Sequence, residues 1–461
     1  MNELVYASAA ALAQAIRAKE VSSQEVVNAY LERIEAVNPR LNAVVQVAAS
    51  AARSQARAAD AALARGEISG PLHGVPITIK DSLDTAGMIS TGGTTGRRPF
   101  VPAQDATVVA RLRAAGAILL GKTNTPELTL SVETDNLIYG RTNNPYDPTL
   151  TPGGSSGGAA SILAAGGSPL DLGSDTGGSI RQPAHFCGIA GIKPTSGRVP
   201  RTGHIISYDL GALDRLTQIG PMARFVEDLI LTLPIISGVD WRDPGVVPMP
   251  LGDPRQVDIK NLRAAFYTDN GITPPTPETI QVVRAAASLL SDSGVLVEEN
   301  RPPEIEHAGG LWMQLAVADG AAWVRRLLEE AGTTQVHPVL KNRFFGHEAV
   351  SSSELTAMLT QLDRLRSAMI SFLENYDLIL CPVNAYPAMP HEQALEKADG
   401  WTYTRIYNLV GWPGAVVRGG TSPQGLPIGV QIVTRPWRED VALAVAQRIE
   451  AGLGGWQRPP L

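Results

Sequence analysis

The feature that most constrains the fold is an alternation of short apolar runs with helical stretches from residue 72 onward. Apolar runs at 75–79 and 117–120 flank a helical pattern at 107–115. A chain that alternates strand and helix in this way buries both faces of a sheet beneath helices. Further strands are predicted at 170–172, 189–192, 262–267, 378–381, 415–417 and 429–433. We therefore predict an α/β fold with helices on both faces of its sheet.

The domain organisation predicted from the sequence is a single large unit over residues 1–461. Apolar residues recur at three- and four-residue steps through 7–65, which predicts N-terminal helices within residues 1–70. A core follows over 72–230, and the rest of the α/β domain occupies 260–461. A chain of 461 residues has room for about three domains. However, we find neither an internal repeat nor a linker that would divide it.

Composition excludes several classes of protein. The net charge is −6, which argues against a general nucleic-acid surface. Cys187 and Cys381 lie in apolar contexts and predict buried thiols of a reducing compartment. The longest uncharged run, 151–170, is too rich in glycine to span a membrane. Glu3 stands where a signal peptide carries positive charge, so we expect a mature N-terminal helix and a cytoplasmic location.

Residues 116–123, GAILLGKT, match the phosphate-binding loop pattern letter for letter. A phosphate cradle needs a flexible loop after a strand and a helix directly after the lysine. Here the central residues are strongly apolar, and Asn124, Thr125 and Pro126 predict a turn. We interpret the segment as a buried strand and expect no nucleotide.

Gly153-Gly154-Ser155-Ser156-Gly157 fits the G-x-S-x-G pattern of a nucleophile elbow. An elbow follows an apolar strand, whereas two prolines in 147–152 make such a strand unfavourable. A small-residue helix is predicted at 157–165, so these serines are expected at its N-terminus. Ser155 as an elbow nucleophile remains an alternative at this point.

Asp175-Thr176-Gly177-Gly178-Ser179-Ile180-Arg181 follows another apolar run. Two glycines after a strand let consecutive backbone N–H groups point the same way and bind an oxyanion. The other interpretation is a turn that merely connects two elements. Lys80 ends the apolar run 75–79 and is either a buried base or, as lysines at strand ends more often are, a surface cap.

Together these segments resemble the amidase signature family. The resemblance extends in order over nearly the whole chain, and the matching segments are Lys80-Asp81, Lys122-Thr123-Asn124, 153–158, 175–181, 183–188, 191–195, 220–224 and 425–431. It implies a mixed central sheet in one large domain. It also implies that the phosphate-loop and elbow patterns carry no function.

The resemblance further implies amide hydrolysis by a Ser–cis-Ser–Lys triad. Ser179 falls on the nucleophile, Ser155 on the bridging serine after a cis peptide, and Lys80 on the base, which burial would keep neutral. The expected oxyanion donors are the backbone N–H groups of Thr176, Gly177, Gly178 and Ser179, and Asp175, Arg181 and Ser156 are expected to support the site. No cofactor and no metal are expected, since no H-E-x-x-H spacing is present.

The substrate is a small-molecule amide by this resemblance, with aryl carbamates (urethanes) as a further expectation. Residues 204–219 form a longer and more apolar link than many family members have there. If apolar residues line the site, the pocket suits aryl groups; core packing is equally compatible. The candidate pocket residues are Tyr139, Tyr208, Trp401 and Trp412, with 311–313 also apolar.

Partner expectations follow from the same reasoning. We expect a monomer or homodimer with no nucleic-acid or membrane partner. One alternative is the amidase component of an amidotransferase, which needs partner subunits. A catalytically silent binding protein is the other, and the intact set Lys80, Ser155 and Ser179 argues against it.

Overall fold

A computed structural model describes residues 3–210 and 214–461. Within these ranges the strands are β1 (Val44–Val47), β2 (Pro76–Lys80), β3 (Ile118–Thr123), β4 (Leu170–Asp175), β5 (Ala190–Lys193), β6 (Gln218–Ala223), β7 (Arg263–Phe266), β8 (Leu296–Glu299), β9 (Leu378–Pro382), β10 (Gly414–Thr421) and β11 (Pro427–Thr434). The helices are α1 (Ala9–Arg17), α2 (Ser23–Leu41), α3 (Ala49–Ala64), α4 (Thr107–Ala114), α5 (Gly157–Ala164), α6 (Arg181–Cys187), α7 (Val226–Ile236), α8 (Pro277–Asp292), α9 (Ala308–Ala316), α10 (Ala322–Glu330), α11 (Pro338–Phe344), α12 (Ser352–Phe372), α13 (Gln393–Glu396), α14 (Thr402–Leu409) and α15 (Glu439–Leu453).

Eight of these strands form the central sheet, in the order β4-β6-β5-β10-β11-β9-β7-β8. Neighbours from β4 to β9 run antiparallel. The pairs β9–β7 and β7–β8 are parallel, so the sheet is mixed. The predicted α/β fold class with a mixed, helix-covered sheet is confirmed.

Side-chain alternation explains why helices cover both faces of this sheet. In β10, Ala415 and Val417 join the apolar cluster that contains α15, whereas Val416 between them joins a second cluster with Ala184 of α6. Successive residues of a strand point to opposite faces. Each face therefore needs its own apolar cover.

A second sheet of three strands, β1-β3-β2, was not predicted as a separate unit. β1 lies inside the region that we expected to be helical. The reason is local: α2 ends at Asn42, whose backbone is left-handed with φ 49°, and three valines of β1 follow within five residues. Asparagine tolerates that conformation, and β-branched residues favour strands. Lys80 is the last residue of β2 in this small sheet.

The segment resembling a phosphate-binding loop is indeed a strand. Its lysine, Lys122, lies within β3 and is fully buried. Lys122 Nζ donates hydrogen bonds to the Leu83 carbonyl and, at 2.7 Å, to Thr85 Oγ1. The lysine is thus engaged inside the fold and not available to a phosphate.

The two cysteines, Cys187 and Cys381, are both buried and free, as predicted. Burial raises the pKa of the Cys381 thiol, which therefore stays protonated. In the part of the chain that the structure describes, no helix is long and apolar enough to cross a membrane.

Candidate active site

The predicted catalytic residues meet where the small sheet contacts the large one. Lys80 ends β2, Ser155 precedes α5, and Ser179 lies between β4 and α6. The two sheets are joined at Thr78, whose Oγ1 donates to Asp171 Oδ2 at 2.6 Å and whose N–H donates to Ser168 Oγ at 3.1 Å. This junction fixes the end of β2 against β4.

Lys80 is fully buried among hydroxyl groups. Its Nζ donates to Ser155 Oγ at 2.7 Å, Ser156 Oγ at 2.9 Å and Ser174 Oγ at 3.0 Å. Burial lowers the pKa of Lys80 to about 7, although the charges of Asp175 and Asp171 oppose the shift. A substantial neutral fraction therefore exists at neutral pH, and the structure places this lysine inside the fold and not at its surface.

The serine segment before α5 reaches the site through close backbone contacts. The Gly154–Ser155 peptide is cis. A Cβ on Gly154 would lie 2.7 Å from the Glu133 nitrogen, so only glycine fits there. The Ser156 N–H donates to the Ser179 carbonyl at 3.2 Å and links the two serine segments.

The turn after β4 carries Ser179, which is half-buried. Gly178 has φ +127°, and a Cβ there would lie 2.3 Å from Thr404 Oγ1, so glycine is required. Its N–H donates to Asp175 Oδ1 at 2.7 Å and is thus engaged, unlike the expected free donor. The N–H groups of Thr176, Gly177 and Ser179 donate to no other described residue.

Asp175 and Arg181 form the predicted ion pair, at 2.9 Å, with both side chains fully buried. Arg181 also donates to Asn408 Oδ1 at 2.6 Å and to Gln431 Oε1 at 2.7 Å. Burial alone would raise the pKa of Asp175, but the charge and hydrogen bonds of Arg181 hold it well below its usual range. The pair therefore stays ionised and braces the turn.

A cavity opens at Ser179. Aromatic and apolar walls come from Leu130, Val132, Trp312, Phe344 and Trp401, and two arginines, Arg343 and Arg405, complete the lining. Val132 and both arginines also line an adjoining cavity of about 770 Å³. A small molecule of moderate size can therefore reach the turn.

Of the four predicted pocket residues, only Trp401 lines this cavity, where it contacts Phe186 edge-on at 5.7 Å. Trp412 is instead buried in an apolar core cluster. Tyr208 lines a separate cavity of about 480 Å³. Tyr139 lies beside β1, where its hydroxyl accepts a hydrogen bond from Gln46. Residues 211–213 of the predicted pocket stretch lie outside the described residues.

Sequence reasoning missed Ser174, Arg343 and Arg405. Ser174 directly precedes Asp175 in β4, and its place beside the Lys80 amine follows only from the packing of two sheets. The two arginines lie on α11 and α14, with no motif around them. Trp312 belongs to the apolar stretch 311–313, which gave no sign that this ring would line the cavity.

Histidines of this chain have partners other than a metal. His185 is buried and accepts a hydrogen bond from the Gly429 N–H at 2.8 Å, so it links α6 to β11. Within residues 3–210 and 214–461, no group of three or more His, Cys, Asp and Glu side chains is placed to hold a metal ion.

Comparisons with known proteins agree with this geometry. The family model described as Amidase matches residues 25–443. The chain is 37% identical to indoleacetamide hydrolase of Bradyrhizobium diazoefficiens, over 97% of this chain and 86% of that protein. It is 35% identical to the amidase-like component (GatA type) of the glutamyl-tRNA(Gln) amidotransferase of Moorella thermoacetica, over 99% of each chain. A solved bacterial aryl acylamidase of the amidase signature family superposes with a TM-score of 0.88 at 26% identity, over 96% of each chain.

The buried ion pair generates a stability prediction. Asp175→Asn leaves the Arg181 guanidinium buried without a counter-charge. We expect the free energy of unfolding to fall by about 3–5 kcal/mol, measured by urea denaturation. Glu67→Gln is the control, because its ion pair with Arg65 is exposed and should contribute nothing measurable. Equal stability of the two variants would contradict a bracing role.

Proposed function

The chain belongs to the amidase family and is a hydrolase of amide C–N bonds, and on this premise we propose that it works through an acyl-enzyme on Ser179. One observation carries the proposal: Lys80 Nζ lies 2.7 Å from Ser155 Oγ, inside the fold and next to the Ser179 turn. A serine hydroxyl is a weak nucleophile unless a base is adjacent. A desolvated lysine is such a base.

In the proposed mechanism, neutral Lys80 takes the Ser155 proton while Ser155 takes that of Ser179. Ser179 Oγ then attacks the substrate carbonyl carbon. The relay requires the two serine hydroxyls to approach in the substrate complex, where catalytic hydrogen bonds commonly tighten. The N–H groups of Thr176, Gly177 and Ser179 stabilise the resulting oxyanion.

The tetrahedral intermediate collapses when Ser155 returns a proton to the leaving nitrogen. The C–N bond breaks, the amine departs, and the acyl group stays on Ser179. Water then attacks the ester carbonyl as the same relay accepts its proton. The acid product is released and Ser179 regains its hydrogen.

Aromatic cavity walls support a preference for aryl substrates. Trp312, Phe344 and Trp401 surround the space at Ser179. Burial of apolar area contributes about 25 cal/mol per Å², so an aryl ring gains a few kcal/mol over a methyl group. Only the part felt in the transition state raises turnover. An aryl carbamate presents a similar planar carbonyl, so we include aryl urethanes with anilides in the proposed substrate class.

The amidase component of an amidotransferase is the second candidate. Its support is the 35% identity to such a component over 99% of each chain. That function requires partner subunits, whereas an anilide hydrolase is active alone. The activity of the purified chain therefore separates the two.

The nucleophile is tested by substitution and labelling. Ser179→Ala should abolish hydrolysis, and a fluorophosphonate probe should label Ser179 in the wild type, as read by peptide mapping. Ser196→Ala changes another half-buried serine outside the cavity and should keep full activity. Probe attachment at Ser155 would show that the roles of the two serines are reversed.

The base is tested by pH. Protonation of Lys80 removes the base, so kcat/KM should fall as pH drops through about 7 and level off above about pH 8. Lys80→Met should lower turnover by at least about 10²-fold. Lys260→Met, at an exposed lysine, should retain the wild-type profile. A flat profile across pH 6–8 would refute the assignment.

The substrate class is tested with acetamide, acetanilide and a small aryl carbamate, using the purified chain alone. Acetanilide should exceed acetamide in kcat/KM by at least about tenfold because of ring burial, and the carbamate should be hydrolysed measurably. Faster hydrolysis of acetamide would contradict the aryl preference. Negligible turnover of all three would favour the amidotransferase function.

A further inference from the structure

Two arginines in the cavity at Ser179 have no counter-ion among the described residues. Arg343 and Arg405 line both this cavity and the adjoining one of about 770 Å³. Within residues 3–210 and 214–461, neither guanidinium forms an ion pair or a hydrogen bond. Arg343 Nε is shielded from solvent without any partner in that part of the chain. Removing a guanidinium from water without compensation is costly, so this arrangement needs a reason.

Other buried arginines of this chain are compensated. Arg198 pairs with Glu439 at 2.8 Å. Arg224 donates to the carbonyls of Leu163 and Ser168, at 3.0 and 2.7 Å. The two uncompensated arginines thus lie together, in the cavity at the proposed nucleophile.

Trp312 holds both arginines in place. The guanidinium carbon of Arg343 lies 5.6 Å from its ring centroid, and that of Arg405 lies 5.4 Å away. The ring itself is fixed, because Trp312 Nε1 donates to the Thr176 carbonyl at 2.9 Å. Cation–π contact orients a guanidinium but leaves its N–H groups available. Two cations are therefore anchored to the turn that carries Ser179.

Acidic groups near the cavity have other partners. Asp399 accepts hydrogen bonds from Thr273 Oγ1 at 3.1 Å and from the Gly400 N–H at 2.9 Å. Glu306 lies 3.6 Å from Arg301. Burial lowers the pKa of Arg343 to about 10, and burial together with the charge of Arg343 lowers that of Arg405 to about 9. Both arginines remain cationic at neutral pH.

We propose that Arg343 and Arg405 bind a carboxylate carried by the substrate, so that amides with a carboxylate on their acyl or amine part are the preferred class. A guanidinium matches a carboxylate with two parallel hydrogen bonds, and a second guanidinium completes its neutralisation. The aromatic walls accommodate the apolar part of the same molecule. This inference rests on the proposed chemistry at Ser179.

The test uses two matched pairs of substrates. One pair is glutaryl-4-nitroanilide and its methyl ester, with the acid on the acyl side. The other is N-acetyl-4-aminobenzoate and its methyl ester, with the acid on the amine side. In at least one pair the wild type should favour the acid over the ester at least tenfold in kcat/KM.

Variants then locate that preference. Arg343→Met and Arg405→Met should each lower the acid-to-ester ratio at least tenfold, and Arg405→Glu should bring it below one. Arg405→Lys, which keeps the charge but loses the two-pronged contact, should give an intermediate ratio. Arg364→Met is the control, because Arg364 is an exposed arginine on α12 and should leave the ratio as it is.

Failure of this inference differs from failure of the proposed chemistry. Hydrolysis of the esters with no acid preference in either pair, or a preference that survives both methionine substitutions, overturns the carboxylate site. If no substrate is turned over, the chemistry at Ser179 fails first. Calorimetry with glutarate then decides the site: binding that is lost in Arg405→Met supports it, and no binding to the wild type overturns it.

Discussion

The ion pair between Asp175 and Arg181 joins the elements around Ser179. It links the end of β4 to the start of α6, and Arg181 extends the connection to Asn408 on α14 and Gln431 on β11. Asp175 also accepts the N–H groups of Gly178 and Ile180. The conformation of the turn is thus set by charge and backbone hydrogen bonds. The Ser179 side chain itself does not contribute to it.

This arrangement also isolates Lys80 from counter-ions. Asp175 is occupied by Arg181, and Asp171 accepts hydrogen bonds from Thr78 and Thr123. Lys80 Nζ is left with three serine hydroxyls, which hydrogen-bond an amine without neutralising an ammonium ion. Desolvation therefore dominates, and the lysine has a pKa near neutrality. The same carboxylates, if free to pair with it, would keep it protonated.

Much of the fold could be predicted because its signals are local. Alternating strands and helices predicted the mixed sheet, and apolar residues in 117–120 distinguished a strand from a phosphate loop. β1 was missed because only three valines separate it from two long helices. Gly178 illustrates another limit: the sequence indicates a flexible turn, but the hydrogen bond from its N–H to Asp175 depends on the exact backbone path. Cavity residues were harder still, because they come from distant helices. Trp401 and Trp412 look alike in the sequence, yet one lines the cavity and the other is core. Periodicity shows which side of a helix is apolar, but not whether that side meets protein or empty space.

The division of the site between two sheets affects how the protein acquires activity. Lys80 belongs to the three-stranded sheet, whereas Ser179 follows a strand of the eight-stranded one, and the cavity walls at Trp312 and Trp401 are synthesised last. A nascent chain with both serines already folded would still lack the chamber that holds a substrate. Equally, loosening of the N-terminal layer would withdraw the amine while the larger sheet kept its shape. Catalytic competence thus reports on the docking of the whole chain, and an inactive sample can retain most of its secondary structure.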